Sequence, residues 1–487
     1  MSSPPNPQTE TPLLEALKKA AGQPDAPFYA PGHKRGQATP QPLAELVGKK
    51  LFSADLPELP ELDNLFAPHS VIQQSQQLAA ELFGASKTWF LSNGSTAGII
   101  ASILAVCNPN EKIIIPRNIH RSVISGLILS GAIPIFINPE YDSAWDLANS
   151  ITPQALQQAL NQHPDTKAVL IVYPTYHGVC GDIKALVEIT HQHQIPILVD
   201  EAHGAHFSFH PDLPISALNA GADLTVQSTH KVLSALSQAS MLHIQGNRIN
   251  THRLSNALQL VQSTSPNYIL LASLDAARQQ MALHGQKLLH QTLELAKIAR
   301  TKLAEIPHLS ILEEPAHPKP GFQTLDPTRL SINVAGLGFS GYAVDEILRE
   351  QYKVTAELPT LRQLTFILSI GNTSSDIHQL INAFHSLPPA PSIEVPAPSQ
   401  LPTPTTMPTL SPRQAFFAET ETVPASEAVN RISAELICPY PPGVPVLVPG
   451  EPVTKQALDY LEQVLANGGT ITGCSYPDLE KIMVVKS

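Results

Sequence analysis

Short apolar runs alternating with helical stretches between residues 85 and 240 constrain this chain more than any other feature. The runs lie at 88–91, 112–115, 133–137, 168–172, 197–199 and 224–227. Several are β-branched and apolar on both faces, as expected of strands covered by helices on either side. Helices are expected over 96–106 and 183–193 between them. This βαβ rhythm predicts a three-layer α/β domain built on a mostly parallel sheet.

The chain has 487 residues, more than one such domain needs at ~150 residues each. A long helical stretch over 268–306, with a possible break near Gly285, leads into a smaller α/β unit made of 330–334, 342–350, 354–357 and 366–370. Prolines then crowd the stretch 388–412. The chain holds 46 prolines in all, well above the usual ~5%. A segment so rich in proline reads as an extended linker. The expected organisation is an N-terminal segment (1–45), a large domain (46–306), a small domain (307–387), the linker (388–412) and a C-terminal α+β domain (413–487).

Composition excludes some functions. Lysine plus arginine number 30 against 41 acidic residues, a formal charge of −11, which argues against a nucleic-acid partner. Cys107, Cys180, Cys438 and Cys474 form no C-x-x-C pair, so neither a zinc ribbon nor a disulfide framework is expected. Cys180 and Cys438 read as buried structural thiols. The first residues lack the basic start and apolar core of a secretory signal. The most apolar stretch, 127–137, is interrupted by Ser130, Gly131 and Pro134 and is too short to span a bilayer. A soluble, cytoplasmic protein is the expectation.

Three motifs carry chemistry. In SNGSTAG, residues 92–98, a strand passes through a Gly/Ser/Thr turn into a helix. The free amides at Gly94–Ala97, with the hydroxyls of Ser95 and Thr96, suit a phosphate group, although a plain polar cap reads equally well. No lysine follows as a P-loop requires. In PILVDEAHGAH, Asp200 ends a buried strand. VDEAH is similar to a helicase Walker B strand, but no P-loop accompanies it. His203, His206 and His210 with Asp200 fit no zinc spacing, and no metal is expected. The remaining reading places Asp200 in the crevice where open α/β sheets bind ligands. The third motif sets Lys231 at the tip of a strand among Ser228, His230 and Ser234, where burial can lower an amine's pKa and make it a nucleophile, although a surface lysine capping a turn reads equally well. A phosphate cradle, a strand-end Asp and a strand-end Lys are together what pyridoxal 5′-phosphate requires. Gly336, Gly338 and Gly341 spell a literal G-x-G-x-x-G with Glu357 beyond it. The unit around them is too short for a dinucleotide fold, and tight packing is the preferred explanation.

The segment VQSTHKVLSALSQAS, residues 226–240, resembles the cofactor-attachment signature of the ornithine/lysine/arginine decarboxylase family. FYAPGHKRG (28–36), SNGSTAG (92–98), NIHRSV (118–123), TSPNYILLASLDAAR (264–278) and ISAELICPYPPGVPVLVPGE (432–451) are similar to that family too. The resemblance implies the aspartate-aminotransferase fold (fold type I), a homodimer or larger assembly, and the short bacterial form without a preceding wing domain. It implies that Lys231 bonds pyridoxal 5′-phosphate and that Asp200 pairs with the pyridine nitrogen. His120 would stack on the ring and Ala202 lie beneath it. Gly94, Ser95, Thr96, Ser228 and His230 would surround the phosphate. His203 would stand beside the ring, where larger members carry tryptophan. Lys231 or His230 would return a proton to Cα. Glu357 is in register with a glutamate that contacts substrate in lysine-specific members; a surface carboxylate beside Arg362 is its plainer reading. Residues 263–268 would reach the neighbouring subunit's site, and His33 and Lys34 would line the entrance or a dimer contact. The implied activity is decarboxylation of lysine, arginine or ornithine to an amine in polyamine or diamine formation. An aminotransferase or a non-catalytic cofactor-binding protein stands as the alternative.

Overall fold

The computed structural model describes residues 6–388, 407–440 and 443–486. Its main sheet has seven strands: β1 (Lys87–Leu91), β2 (Lys112–Pro116), β3 (Ile133–Ile137), β4 (Ala168–Val172), β5 (Ile197–Asp200), β6 (Leu224–Gln227) and β7 (Ser240–Ile244). Their spatial order is β1-β7-β6-β5-β4-β2-β3. Strands β2 to β6 pair in parallel. Strand β7 runs antiparallel to both β6 and β1, so the C-terminal ends of β1 and β6 share one edge of the sheet.

The sequence pattern does not reveal β7, because SMLHI carries a serine and a histidine in what is a buried strand. The structure shows why it tolerates them. His243 Nδ1 pairs with the Thr88 hydroxyl at 2.7 Å and Nε2 with Gln227 Oε1 at 3.2 Å. A buried polar group so satisfied is compatible with the core. The other strands are buried on both faces, Ile113, Ile114 and Ile115 without exposed area, each such side chain contributing about 1.5–3 kcal/mol.

Helix α1 (Gly94–Val106) lies close on this sheet. A Cβ at Gly98 would stand 2.7 Å from Val226 Cγ1 and 2.8 Å from Leu91 Cδ1, so only glycine lets the helix approach. Helix α2 (Arg121–Ser130) follows β2, and the short α3 (Thr229–Val232) follows β6. Helix α4 (Tyr268–Ala304) is continuous over 37 residues. Gly285 does not break it but is buried against Phe209.

The smaller unit is an antiparallel sheet of β8 (Ser310–Ile311), β9 (Arg329–Asn333), β10 (Leu358–Pro359) and β11 (Gln363–Ile367), in the order β8-β9-β11-β10. Residues 354–357 are not a strand; Glu357 sits on the bend just before β10, its amide donating to the Thr365 carbonyl at 3.1 Å. Helix α5 (Gly341–Gln351) packs over this sheet.

The proline-rich stretch lies outside the described residues from 389 to 406. Beyond it, Thr420–Pro424 pairs with Lys481–Val485 and Cys438–Tyr440 with Thr470–Thr472, beside the helix Lys455–Ala466. Arg117, just past β2, meets Glu451 of this C-terminal unit at 2.6 Å with both side chains buried. Val448 enters the core of the main sheet. Among the described residues, no helix is long and apolar enough to cross a membrane.

Candidate active site

The C-terminal ends of β1, β5 and β6 bring the three motifs together. Asp200 closes β5 and pairs in register with Val226 of β6, and Lys231 follows β6 on α3. Strand β7 returns between β6 and β1, so the start of α1 reaches the same edge. There the Ser228 hydroxyl donates to Ser95 Oγ at 2.8 Å. Gly94 has φ +73°, a left-handed conformation that favours glycine, and a Cβ there would meet nothing nearer than the Gln238 carbonyl at 3.8 Å. Thr96 is exposed and Gly94 and Ser95 half-buried. The first amides of a 13-residue helix therefore open into free space.

Lys231 Nζ lies 3.0 Å from His203 Nε2. Burial lowers the amine's pKa, opposed by the charges of Asp200 and Glu357 and assisted by Arg329. Burial raises Asp200, while Lys231 and the Ala202 amide, which donates to Oδ1 at 3.2 Å, pull it back. His120 caps α2: its Nδ1 accepts from the Ser122 amide at 3.2 Å and pairs with the Ser122 hydroxyl at 2.8 Å. Burial and the Lys231 charge depress it to about 4, a neutral ring near the amine. His230 is anchored through Nδ1 to the Ala239 carbonyl at 2.9 Å, and burial lowers its pKa.

These features fit pyridoxal 5′-phosphate. The helix start and paired hydroxyls suit its phosphate. Asp200 suits a protonated ring nitrogen, and an amine of lowered pKa suits an aldehyde carbon.

Comparison with known proteins agrees with the geometry. Residues 11–376 match the family described as Orn/Lys/Arg decarboxylase, major domain, and residues 394–474 match its C-terminal domain. The chain belongs to the Orn/Lys/Arg decarboxylase family. An arginine decarboxylase of Bacillus subtilis is 38% identical over 484 residues, covering 98% of each chain. One of Bacillus anthracis is 37% identical over 489 residues, again 98% of each. The structure of lysine decarboxylase A from Pseudomonas aeruginosa superposes with a TM-score of 0.84 at 22% identity, covering 99% of this chain and 81% of that one. Fold type I architecture is thereby shown, and the family makes this chain a pyridoxal-phosphate-dependent amino-acid decarboxylase.

Within this decarboxylase, Arg329 is the site residue that sequence reading missed. It opens β9 of the small sheet, fully buried, and its Nη2 donates to His203 Nδ1 at 3.2 Å and to the His203 carbonyl at 3.0 Å. Only its place in RLSIN, at the start of a buried strand, marked it as unusual. The three histidines weighed as metal ligands separate. His203 meets Lys231 and Arg329, His206 Nε2 meets Asp326 at 3.2 Å, and His210 stacks on His290. Tyr268 is buried in its own chain, its hydroxyl donating to the Asp63 carbonyl at 2.6 Å. It cannot enter a neighbouring site, and only residues 263–265 of that segment are exposed together. His33 pairs with Asp55 at 3.0 Å, beyond the N-terminal segment, and the Lys34 amine donates to the Tyr29 carbonyl within it at 2.5 Å. Cys180 and Cys438 are buried thiols whose pKa burial pushes up.

Proposed function

We propose that this chain decarboxylates a basic L-amino acid with pyridoxal 5′-phosphate, with arginine as its preferred substrate and agmatine, a polyamine precursor, as product. The observation that carries the reading is the buried Lys231 amine, 3.0 Å from His203 Nε2 just past β6, its pKa lowered by burial against the charges of Asp200 and Glu357. The names of the Bacillus relatives favour arginine.

Bound here, the cofactor supplies an electron sink for the pair left when CO2 departs. Lys231 would hold it covalently and Asp200 would keep a proton on its ring nitrogen. Gly94, Ser95, Thr96 and Ser228 would hold the phosphate, with His230 beside them. His120, a neutral ring, and Ala202 would hold the cofactor ring. Lys231 or His230 would hold the proton destined for Cα. Glu357 stands exposed on the bend before β10, close enough to lift the Lys231 pKa, and receives the substrate's distal cation.

The functional unit is proposed to be a homodimer or larger. The exposed apolar side chains Phe28, Leu43, Leu46 and Leu51 near the start of the chain suit a subunit contact.

The test is CO2 release from arginine, lysine and ornithine by the purified protein. Arginine should react fastest, and borohydride should fix the cofactor to the Lys231 peptide. Label on another residue, or no release from any of the three, refutes the reading.

A further inference from the structure

His203 lies between two cations, Arg329 on Nδ1 and Lys231 on Nε2. A guanidinium has donors and no acceptor. Arg329 Nη2 therefore donates to Nδ1, and His203 Nδ1 must carry a lone pair. A neutral imidazole with a lone pair on Nδ1 carries its proton on Nε2. Burial of the ring holds His203 neutral, assisted by the charge of Arg329. Its Nε2–H then points at Lys231 Nζ from 3.0 Å. A neutral amine accepts that hydrogen bond; an ammonium, which only donates, would face another donor.

We propose that Arg329 and His203 act as a pair that keeps Lys231 in its unprotonated, nucleophilic form. His203 touches the reacting nitrogen and is a catalytic residue; Arg329 is a positioning residue that selects the imidazole tautomer. The proposal rests on the reading of Lys231 as the cofactor-bonding amine.

The pair works against specific neighbours. Asp200 from β5 and Glu357 from the bend before β10 favour the ammonium form of Lys231. His120 at the head of α2 and His230 on α3 lie within its field as neutral rings. Arg329 itself faces Asp326, Glu357 and Cys180, and its Nε and Nη1 have no partner among the described residues. Tyr176 closes the far side of His203, the rings 5.1 Å apart at 65°. Burial and the Arg329 charge favour the neutral amine against the Asp200 and Glu357 carboxylates, and the Nε2–H contact adds a directional hydrogen bond that only the neutral form can accept. Without it, the balance shifts toward the ammonium form.

The test is the pH profile of Lys231 acetylation by trace acetic anhydride in the full-length, cofactor-free chain, read on the Lys231 peptide by mass spectrometry. In His203→Phe, which changes no charge, the midpoint should rise by about one pH unit, the size expected when one hydrogen bond favouring the neutral form is lost. Arg329→Met should raise it as well, but by less in the His203→Phe background, because part of its effect passes through the imidazole. Arg329→Lys keeps a donor and should stay near the parent. If the methionine variant does not fold, the His203→Phe and Arg329→Lys profiles still decide. An unchanged or lower midpoint in His203→Phe overturns the proposal, as does an Arg329→Met shift equal in both backgrounds. The measurement needs neither cofactor nor turnover, so it can fail while the decarboxylase reading stands, and the reverse.

Discussion

Two glycine-rich turns in this chain look alike in sequence and do opposite things. SNGSTAG at 92–98 and GLGFSG at 336–341 each carry a strand into a helix. At the first, a Cβ on Gly94 would find open space and two serine hydroxyls lie together. At the second, a Cβ on Gly336 would stand 2.4 Å from the His308 carbonyl oxygen, and one on Gly341 would stand 2.3 Å from that of Thr360 and 2.4 Å from that of Gln363. The first turn leaves its amides facing open space, where a phosphate is proposed to sit. The second spends its glycines on backbone-to-backbone packing, and no dinucleotide phosphate can approach there. What lies across from a glycine, and not the glycine spacing, separates an anion cradle from a packing joint.

The packing joint still bears on the site. Gly341 presses on Thr360 and Gln363, the hairpin that begins just after Glu357. Gly341→Ala should therefore destabilise the protein by about 3 kcal/mol, since the contacted atoms are backbone and cannot turn aside. A denaturant titration that shows no loss would mean this turn is looser than described. The next effect belongs to the residue that hairpin presents. A charge-assisted hydrogen bond from Glu357 to the distal cation is worth ~1.5–3 kcal/mol. Glu357→Gln should lower kcat/KM for arginine roughly ten- to a hundredfold and leave the bound cofactor's absorbance intact. Equal kcat/KM would return Glu357 to the surface.

At the open turn the change is smaller and falls mainly on the ligand. Ser95→Ala removes a hydrogen bond to the phosphate worth ~1 kcal/mol, so cofactor affinity should fall about fivefold, with only a small loss in the cofactor-free protein's melting temperature from the Ser228–Ser95 contact. A stability loss without an affinity change would make this turn a packing joint as well. Last, millimolar NAD should give no thermal shift; a shift abolished by substitution in 336–341 would break the contrast altogether.

Much of this was legible in the chain itself. All six strand runs at 88–227 kept their place within a residue of each boundary, because strands buried on both faces have little freedom in composition. The exceptions share one cause. Strand β7 hides behind His243, Gly285 looks like a helix break, and 354–357 looks like a strand; in each case a tertiary partner overrides the local pattern. His243 has Thr88 and Gln227, Gly285 has Phe209, and the Glu357 bend has Thr365.

Strand propensity, turn chemistry and a lysine after a buried strand are local properties, so the sequence alone determined the α/β architecture, the cradle at Gly94–Thr96 and the candidacy of Asp200 and Lys231. The role open to a side chain of mixed character was decided elsewhere. Nothing local in DEAHGAH or RLSIN says that His203 and Arg329 meet, since they come from different sheets. Only folding brings Nη2 to 3.2 Å from Nδ1, and a hydrogen bond between elements so far apart in sequence leaves no periodicity to read. The same holds for the two glycine turns: the chain fixes where the backbone can bend, and the tertiary structure fixes what stands opposite the bend.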